Sequence, residues 1–167
     1  MTSTELLVEA FQRIRDELHP AVNGLSPDEL AFRPDAESNS IAWLAWHLTR
    51  IQDDHVAGLH GSEQVWIANG WMERFALPLD RSDTGYGHDP DTVAKVTADA
   101  ASLLGYYEDV HGKTVDYISA LDEADLARVI DTSWDPPVTV SVRLVSVIAD
   151  DLQHVGQAAY VRGILQR

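Results

Sequence analysis

Asp150 and His154 are the pair whose residue types and spacing most clearly suggest chemistry. On a helix, residues four apart lie ~40° apart around the axis and ~6 Å apart along it, so both side chains can reach one point. A carboxylate and an imidazole at that point, joined by a histidine from a facing helix, would hold a divalent metal through three protein ligands. A remaining coordination position would then be open to water or substrate.

Two histidines of an earlier helical segment compete for the third ligand position. His47 lies within an apolar stripe, whereas His55 lies eight residues further on, or ~12 Å along the axis, so both cannot bind the same ion. Asp151 falls within the apolar arc of its own helix and competes with Asp150 for the carboxylate position. The sequence leaves open which aspartate is the ligand, and an acid–imidazole pair without a metal is the alternative interpretation.

A di-iron site is a second metal hypothesis. Glu108 and His111, like Asp151 and His154, have the acid-x-x-His spacing of carboxylate-bridged di-iron bundles. Such bundles also need a bridging glutamate from each of the other two helices. The segment 41–59 contains no glutamate. The sequence therefore disfavours a di-iron site.

Four long segments with helical periodicity must position these residues. They run approximately over 3–22, 41–59, 90–120 and 141–165. Because no segment shows the alternation of a half-buried strand, the sequence predicts an all-α four-helix bundle and a single domain over 1–167.

Capping residues set the predicted helix boundaries. Ser40 caps the second long helix, and Asp89 precedes a helix-starting proline. Short helices are expected after Ser26 and around 121–126. The connection between the second and third long helices is long and irregular, with a helical turn or two expected around 64–75.

Composition excludes several classes of function. Lys and Arg number 12 against 27 Asp and Glu, which gives a net charge of −15 and disfavours binding to nucleic-acid phosphates. The chain has no cysteine, so it can form neither a disulfide nor a zinc–thiolate site, and it has no catalytic thiol of its own. No apolar run reaches the ~18 residues of a membrane span, and the N-terminus lacks the basic and apolar regions of a secretory signal. We therefore expect a cytoplasmic protein that binds neither nucleic acid nor a membrane.

Several motifs resemble a known family. Ile41-Ala42-Trp43-Leu44-Ala45-Trp46-His47 resembles the second-helix motif of the DinB-like superfamily, and His154-Val155-Gly156-Gln157, with Asp150 before it and Arg162 after it, resembles its last-helix motif. Gly70–Phe75 and Thr84–His88 are similar to the mycothiol-transferase branch, which is itself similar to mycothiol-dependent maleylpyruvate isomerase. The resemblance covers nearly the whole chain, and its parts occur in the expected order.

The resemblance implies a DinB-like bundle that binds one divalent metal, zinc or nickel, through His47, Asp150 and His154. Many relatives have histidine or glutamate where this chain has Asp150. The implied activity is transfer of a low-molecular-weight, mycothiol-like thiol to an electrophilic small molecule, with the metal holding the thiolate. The alternatives are a non-catalytic protein that binds a metal or ligand, and a structural bundle without a metal.

Further residues are predicted to support this site. Gln157 and Asp151 are candidates to orient a metal ligand, and Arg50 and Tyr86 are candidates for substrate contacts. The segment 83–88 is either a mobile lid or a plain connecting loop. Tryptophans and apolar residues on outward faces predict a homodimer.

Overall fold

A computed structural model describes residues 1–166, and most of these residues are helical. The long helices are α1 (Ser3–Val22), α3 (Ile41–His60), α7 (Ala100–Ser119) and α9 (Val140–Leu165). The short helices are α2 (Pro27–Ala31), α4 (Val65–Ala68), α5 (Trp71–Phe75), α6 (Pro90–Val93) and α8 (Glu123–Ala127). An antiparallel pair of short strands, β1 (Val129–Asp131) and β2 (Val138–Thr139), joins α8 to α9. The predicted all-α architecture is confirmed.

Side-chain caps explain where the helices begin. Thr2 and Ser26 form capping boxes at α1 and α2, in which the cap side chain and the glutamate three residues later bond each other's backbone N–H. Ser40 and Thr139 each accept a hydrogen bond from the backbone N–H three residues later, at α3 and α9. Because these signals are local, the predicted starts of α1, α2, α3 and α9 agree with the structure to within one residue.

The predicted third long helix is wrong in its first part. The segment 90–120 contains two helices, α6 and α7, separated by a non-helical stretch. Asp99 starts α7 by accepting a hydrogen bond from the backbone N–H of Ser102. The prediction failed because the buried residues Val93, Val96 and Leu103 keep helical spacing across the break.

The four long helices form the bundle around a connected cluster of buried apolar residues. α3 is its most enclosed member, since every residue from Ile41 to Arg50 is buried. The connection 61–89 explains this enclosure, because it covers the side of α3 that the other long helices leave open. His47, within this buried stretch of α3, is therefore inside the protein. None of the helices among residues 1–166 is long and apolar enough to cross a membrane.

Candidate metal centre

His47 on α3 meets Asp150 and His154 on α9. One ligand atom from each residue lies within 4.8 Å of the other two. The Nε2 atom of His47 is 3.9 Å from Oδ2 of Asp150, and Nε2 of His154 is 3.6 Å from Oδ1. Ligands held ~2.1 Å from a tetrahedral metal lie about 3.4 Å from one another, so small side-chain movements would bring these atoms to that spacing.

The hydrogen bond to Thr84 sets the tautomer of His47. Nδ1 of His47 lies 2.5 Å from the carbonyl oxygen of Thr84. A carbonyl only accepts, so Nδ1 carries the proton and Nε2 of the neutral ring presents its lone pair. Burial lowers the pKa of His47, outweighing the opposite effect of the Thr84 bond. The ring is thus held neutral, as a metal ligand must be.

Gln157 holds His154 in the same way. Nδ1 of His154 lies 2.9 Å from Oε1 of Gln157, one helical turn further along α9. The amide oxygen accepts from Nδ1–H, which leaves Nε2 of His154 as the free nitrogen. The structure therefore places Gln157 in contact with His154, the candidate metal ligand that the sequence predicted it to support.

Asp150 supplies an acidic oxygen that lacks a partner. Its side chain is partly exposed, yet Oδ2 is buried and makes no hydrogen bond within the described residues. A buried carboxylate oxygen without a donor is costly unless a cation lies beside it. The Nε2 lone pairs of the two imidazoles lie near this carboxylate. Together these three donors fit a divalent metal.

Asp151, the competing carboxylate, lies elsewhere. It is fully buried, and within residues 1–166 its oxygens have no hydrogen-bond partner and it is not part of the convergent group. Burial, reinforced by the charge of Asp150, raises the pKa of Asp151 well above its usual value. The structure thus separates the two aspartates that sequence spacing left equivalent.

The other residues considered as metal ligands have different partners. Nδ1 of His55 lies 3.1 Å from Nη1 of Arg143 and accepts a hydrogen bond from it. Glu108, proposed for a di-iron site, bonds Arg15 and His19 on α1. None of these groups joins the convergent donors among residues 1–166.

The segment 83–88 supports the site as an ordered loop. The ring of Trp43 stacks on His47 with ring centroids 4.5 Å apart. Nε1 of Trp43 donates to Nδ1 of His88 at 3.1 Å, and Nε2 of His88 donates to Asp83 at 2.8 Å. These bonds join the loop to the indole that packs against the ligand. Sequence reasoning found no partner for His88, because this contact spans 45 residues.

Gly85 lets the loop approach the ligand closely. Its φ is 91°, in the left-handed region, and a Cβ atom there would lie 2.7 Å from Nδ1 of His47. It would also lie 3.1 Å from both Trp43 and Trp46. Only glycine fits this position without displacing the ring.

Arg50, predicted from sequence as a substrate contact, lies inside the protein. Its side chain is fully buried, and its Nε donates to the carbonyl of Asp83. Nη1 donates to Gln64 and Tyr106 and lies 3.7 Å from Oδ2 of Asp53. Its guanidinium is therefore closed off from solvent. It anchors the residue preceding Thr84 and so supports the site from behind.

Tyr86, the other predicted substrate contact, is 89% exposed at the outer side of the same loop. It neighbours Gly85 and makes no side-chain hydrogen bond within the described residues. A ligand could reach it from solvent. Its substrate role stays a prediction.

Comparisons with known proteins give a family from a family model and a similar fold from a solved structure. A family model described as Mycothiol-S-transferase matches residues 6–166. The chain is also similar to a solved protein described as "Crystal structure of the conserved protein of locus from Enterococcus faecalis". The identity is 34%, the match covers 97% of this chain and 96% of that one, and the TM-score is 0.91. No curated protein matches the chain.

Proposed function

The chain belongs to the mycothiol S-transferase family, a DinB-like family, and on that premise we propose that it is a divalent-metal-dependent thiol S-transferase. The carrying observation is the convergence of His47, Asp150 and His154, with both Nε2 atoms free and a carboxylate oxygen lacking a partner. The metal and the electrophilic small molecule are parts of this proposal, beyond what the family name states.

The donor set favours zinc or nickel. Two imidazoles and one carboxylate suit the borderline divalent metals, whereas magnesium and calcium prefer oxygen ligands alone. When bound, such a metal lowers the pKa of a coordinated thiol and so supplies a thiolate at neutral pH. Three protein ligands leave a position for that thiol.

The protein's own residues hold and shield the ligands. Thr84 and Gln157 fix the orientation of the two imidazoles through their Nδ1 atoms. The stacked ring of Trp43 excludes water from one face of His47, while Asp150 balances the positive charge of a metal. Because the chain has no cysteine, the reacting sulfur must come from a co-substrate.

Metal content is the first test. We expect protein purified without chelator to contain about one zinc or nickel ion per chain. His154→Ala should lose this metal, because one of the three ligands is gone. His60→Ala, an exposed histidine on α3, should keep it and is the matched control. Elemental analysis of the three proteins measures this. Absence of metal from the wild type after incubation with zinc and with nickel would overturn the metal proposal.

Thiol transfer is the second test. Monochlorobimane becomes fluorescent when a thiolate sulfur forms an S–C bond, chloride leaves, and the thiol proton passes to water. We expect the zinc-loaded protein to accelerate this reaction with mycothiol, and chelation or His154→Ala to abolish the acceleration. Metal binding without transfer to any of a panel of electrophiles would favour the non-catalytic, metal-binding alternative.

Light scattering of the same samples tests the predicted homodimer.

A further inference from the structure

The outward side of α9 carries no charge. Its exposed residues are mostly apolar or small: Val142, Val145, Ala149, Leu152, Gly156, Ala159, Tyr160 and Gly163, with the polar Ser146, Gln153 and Gln157 beside them. The charged residues within Val140–Leu165 are all partly or fully buried: Arg143, Asp150, Asp151 and Arg162. The whole chain has a net charge of −15, so this uncharged helix face contrasts with the overall charge of the protein. A continuous exposed apolar face marks an interaction site.

Seven of the exposed residues recur at alternating intervals of three and four, and they are called the outer stripe below. They are Val142, Val145, Ala149, Leu152, Gly156, Ala159 and Gly163. This is the heptad spacing by which two helices pack side by side in a coiled coil. The larger side chains are well exposed, with Val142 at 48%, Val145 at 56% and Leu152 at 44%. Because the opposite side of α9 packs on the bundle core, only a helix from outside the bundle could cover the outer stripe.

The side-chain sizes along the outer stripe match an antiparallel copy of the same helix. One register places a larger side chain opposite a smaller one in every pair: Val142 with the partner's Ala159, Val145 with the partner's Gly156, and Leu152 with the partner's Ala149. Larger and smaller residues that face each other fill a contact without voids. A parallel pair would set each residue opposite its own copy, so glycine would face glycine and leave a gap.

Charge also favours a second copy of the chain as the partner. Two copies with a net charge of −15 repel each other, and this repulsion is weakest where uncharged surfaces meet. A strongly basic or acidic partner would find no complementary charge on the outer stripe. A self-complementary, uncharged face is what a two-fold symmetric contact requires.

The area of the face suits a reversible dimer. The paired part of the outer stripe, from Val142 to Ala159, is ~26 Å long. Leu6 on α1, which shares an apolar groove with Val145, and Tyr160 flank it and are 55% and 69% exposed. With these flanks the contact is ~20 Å wide, so two copies would bury on the order of 1,000 Å². This is the lower end of the range for specific interfaces, where complexes dissociate readily.

From these observations we infer that the protein forms a two-fold symmetric dimer, in which α9 packs antiparallel on α9 of a second copy through the outer stripe. The symmetry axis passes between positions 150 and 151 of the helix pair. Asp150 and His154 lie on the flank of α9 that faces His47 on α3, so each metal centre stays within its own chain. The inference is therefore independent of the proposed thiol transfer.

A charge placed in the outer stripe tests the interface. Sedimentation equilibrium of the full chain should show a monomer–dimer equilibrium with a dissociation constant in the micromolar range. Ala159→Glu should raise that constant at least tenfold, because it sets a carboxylate against the partner's Val142. Ala101→Glu is the matched control, since Ala101 is exposed on α7, which packs between α1 and α3 rather than against α9. A wild type that stays monomeric up to ~200 μM, or equal constants for all three proteins, would overturn the inference.

Introduced cysteines test the orientation. The chain has no cysteine, so added thiols are the only ones present. A mixture of Val145→Cys and Gly156→Cys should form a disulfide-linked dimer on mild oxidation, because the register places these positions opposite each other. Either variant alone should not, since its two copies lie ~16 Å apart along the helices. Crosslinking of either variant alone, or a dimer whose mixture does not crosslink, would refute the antiparallel register.

Discussion

Thr84 presents its backbone carbonyl to Nδ1 of His47 at 2.5 Å, across 37 residues of chain. This bond decides which imidazole nitrogen is free, so the loop that contains Thr84 sets the tautomer of His47. The loop reaches His47 because Gly85 adopts a left-handed conformation against the ring. Arg50 binds the carbonyl of Asp83, so two successive carbonyls of the loop are held from α3.

Gly85→Ala should lower the affinity for zinc while the protein still folds. The new Cβ would lie 2.7 Å from Nδ1 of His47 and push the Thr84 carbonyl away. Loss of such a supporting contact typically costs about 10–100-fold in metal affinity. Gly87→Ala is the control, because its φ of 76° carries similar strain but its Cβ meets nothing within 4 Å. Calorimetric zinc titration should separate the variants, and equal zinc affinities would show that the loop does not position His47.

The two adjacent aspartates should differ in metal binding. Asp150→Asn removes the carboxylate whose Oδ2 faces Nε2 of His47 and whose Oδ1 faces Nε2 of His154, so the protein should lose its zinc. Asp151→Asn should keep it, because Asp151 lies outside the convergent donors. Elemental analysis of both variants after zinc loading and desalting checks this. Retention of zinc by Asp150→Asn together with its loss from Asp151→Asn would reverse the assignment.

Arg50→Met should destabilise the whole fold. The substitution leaves Asp53 buried without its cation and frees the carbonyl of Asp83. Breaking a buried ion pair by removing one partner costs about 3–5 kcal/mol in the free energy of unfolding. Arg13→Met, on the exposed face of α1, should change it by less than about 0.5 kcal/mol. Urea denaturation of metal-free protein measures both, and a small effect for Arg50→Met would contradict the assignment of Arg50 as a buried anchor.

The two glycines within α7 should respond to alanine in opposite directions. A Cβ at Gly105 would lie 2.7 Å from Cη2 of the buried Trp71, so Gly105→Ala should cost about 1–3 kcal/mol through overpacking. A Cβ at Gly112 meets nothing within 4 Å. Gly112→Ala should therefore stabilise the helix by about 0.5–1 kcal/mol. Thermal unfolding of both variants checks the sign, and a gain for Gly105→Ala would contradict the packing of Trp71.

His111 should make the metal-free protein less stable in mild acid. Burial lowers the pKa of His111, with Glu108, Arg15, Asp16 and His19 as the charged neighbours that also act on it. In the unfolded chain the ring binds a proton below about pH 6.5, whereas in the folded chain it binds one only at lower pH, so the free energy of unfolding falls as the pH drops below about 6.5.

The His111→Gln variant isolates this contribution. It should show a flatter decline in the free energy of unfolding than the wild type between about pH 7 and 5. Urea denaturation at several pH values provides the measurement. Parallel slopes for His111→Gln and the wild type would show that His111 titrates alike in both states.

The sequence by itself determined the helices and the i, i+4 pair on α9. Ser26 and Ser40 cap their helices through bonds to backbone three residues away, and Asp150 and His154 share a helix face by geometry alone. Interactions within four residues leave a pattern in the sequence. The break between α6 and α7 is not evident from the sequence, because the apolar spacing continues through it. Asp99, which caps α7, is the one local signal that marks the new start.

Only the tertiary structure decided the remaining features of the site. It distinguished Asp150 from Asp151, since adjacent residues of one type differ only in what faces them. It placed Arg50, a predicted substrate contact, inside the protein, where it holds the carbonyl of Asp83. The bond to Thr84 could not be foreseen, because every residue has the same backbone carbonyl. Its partner is set by how the chain packs in space, and no residue type encodes it.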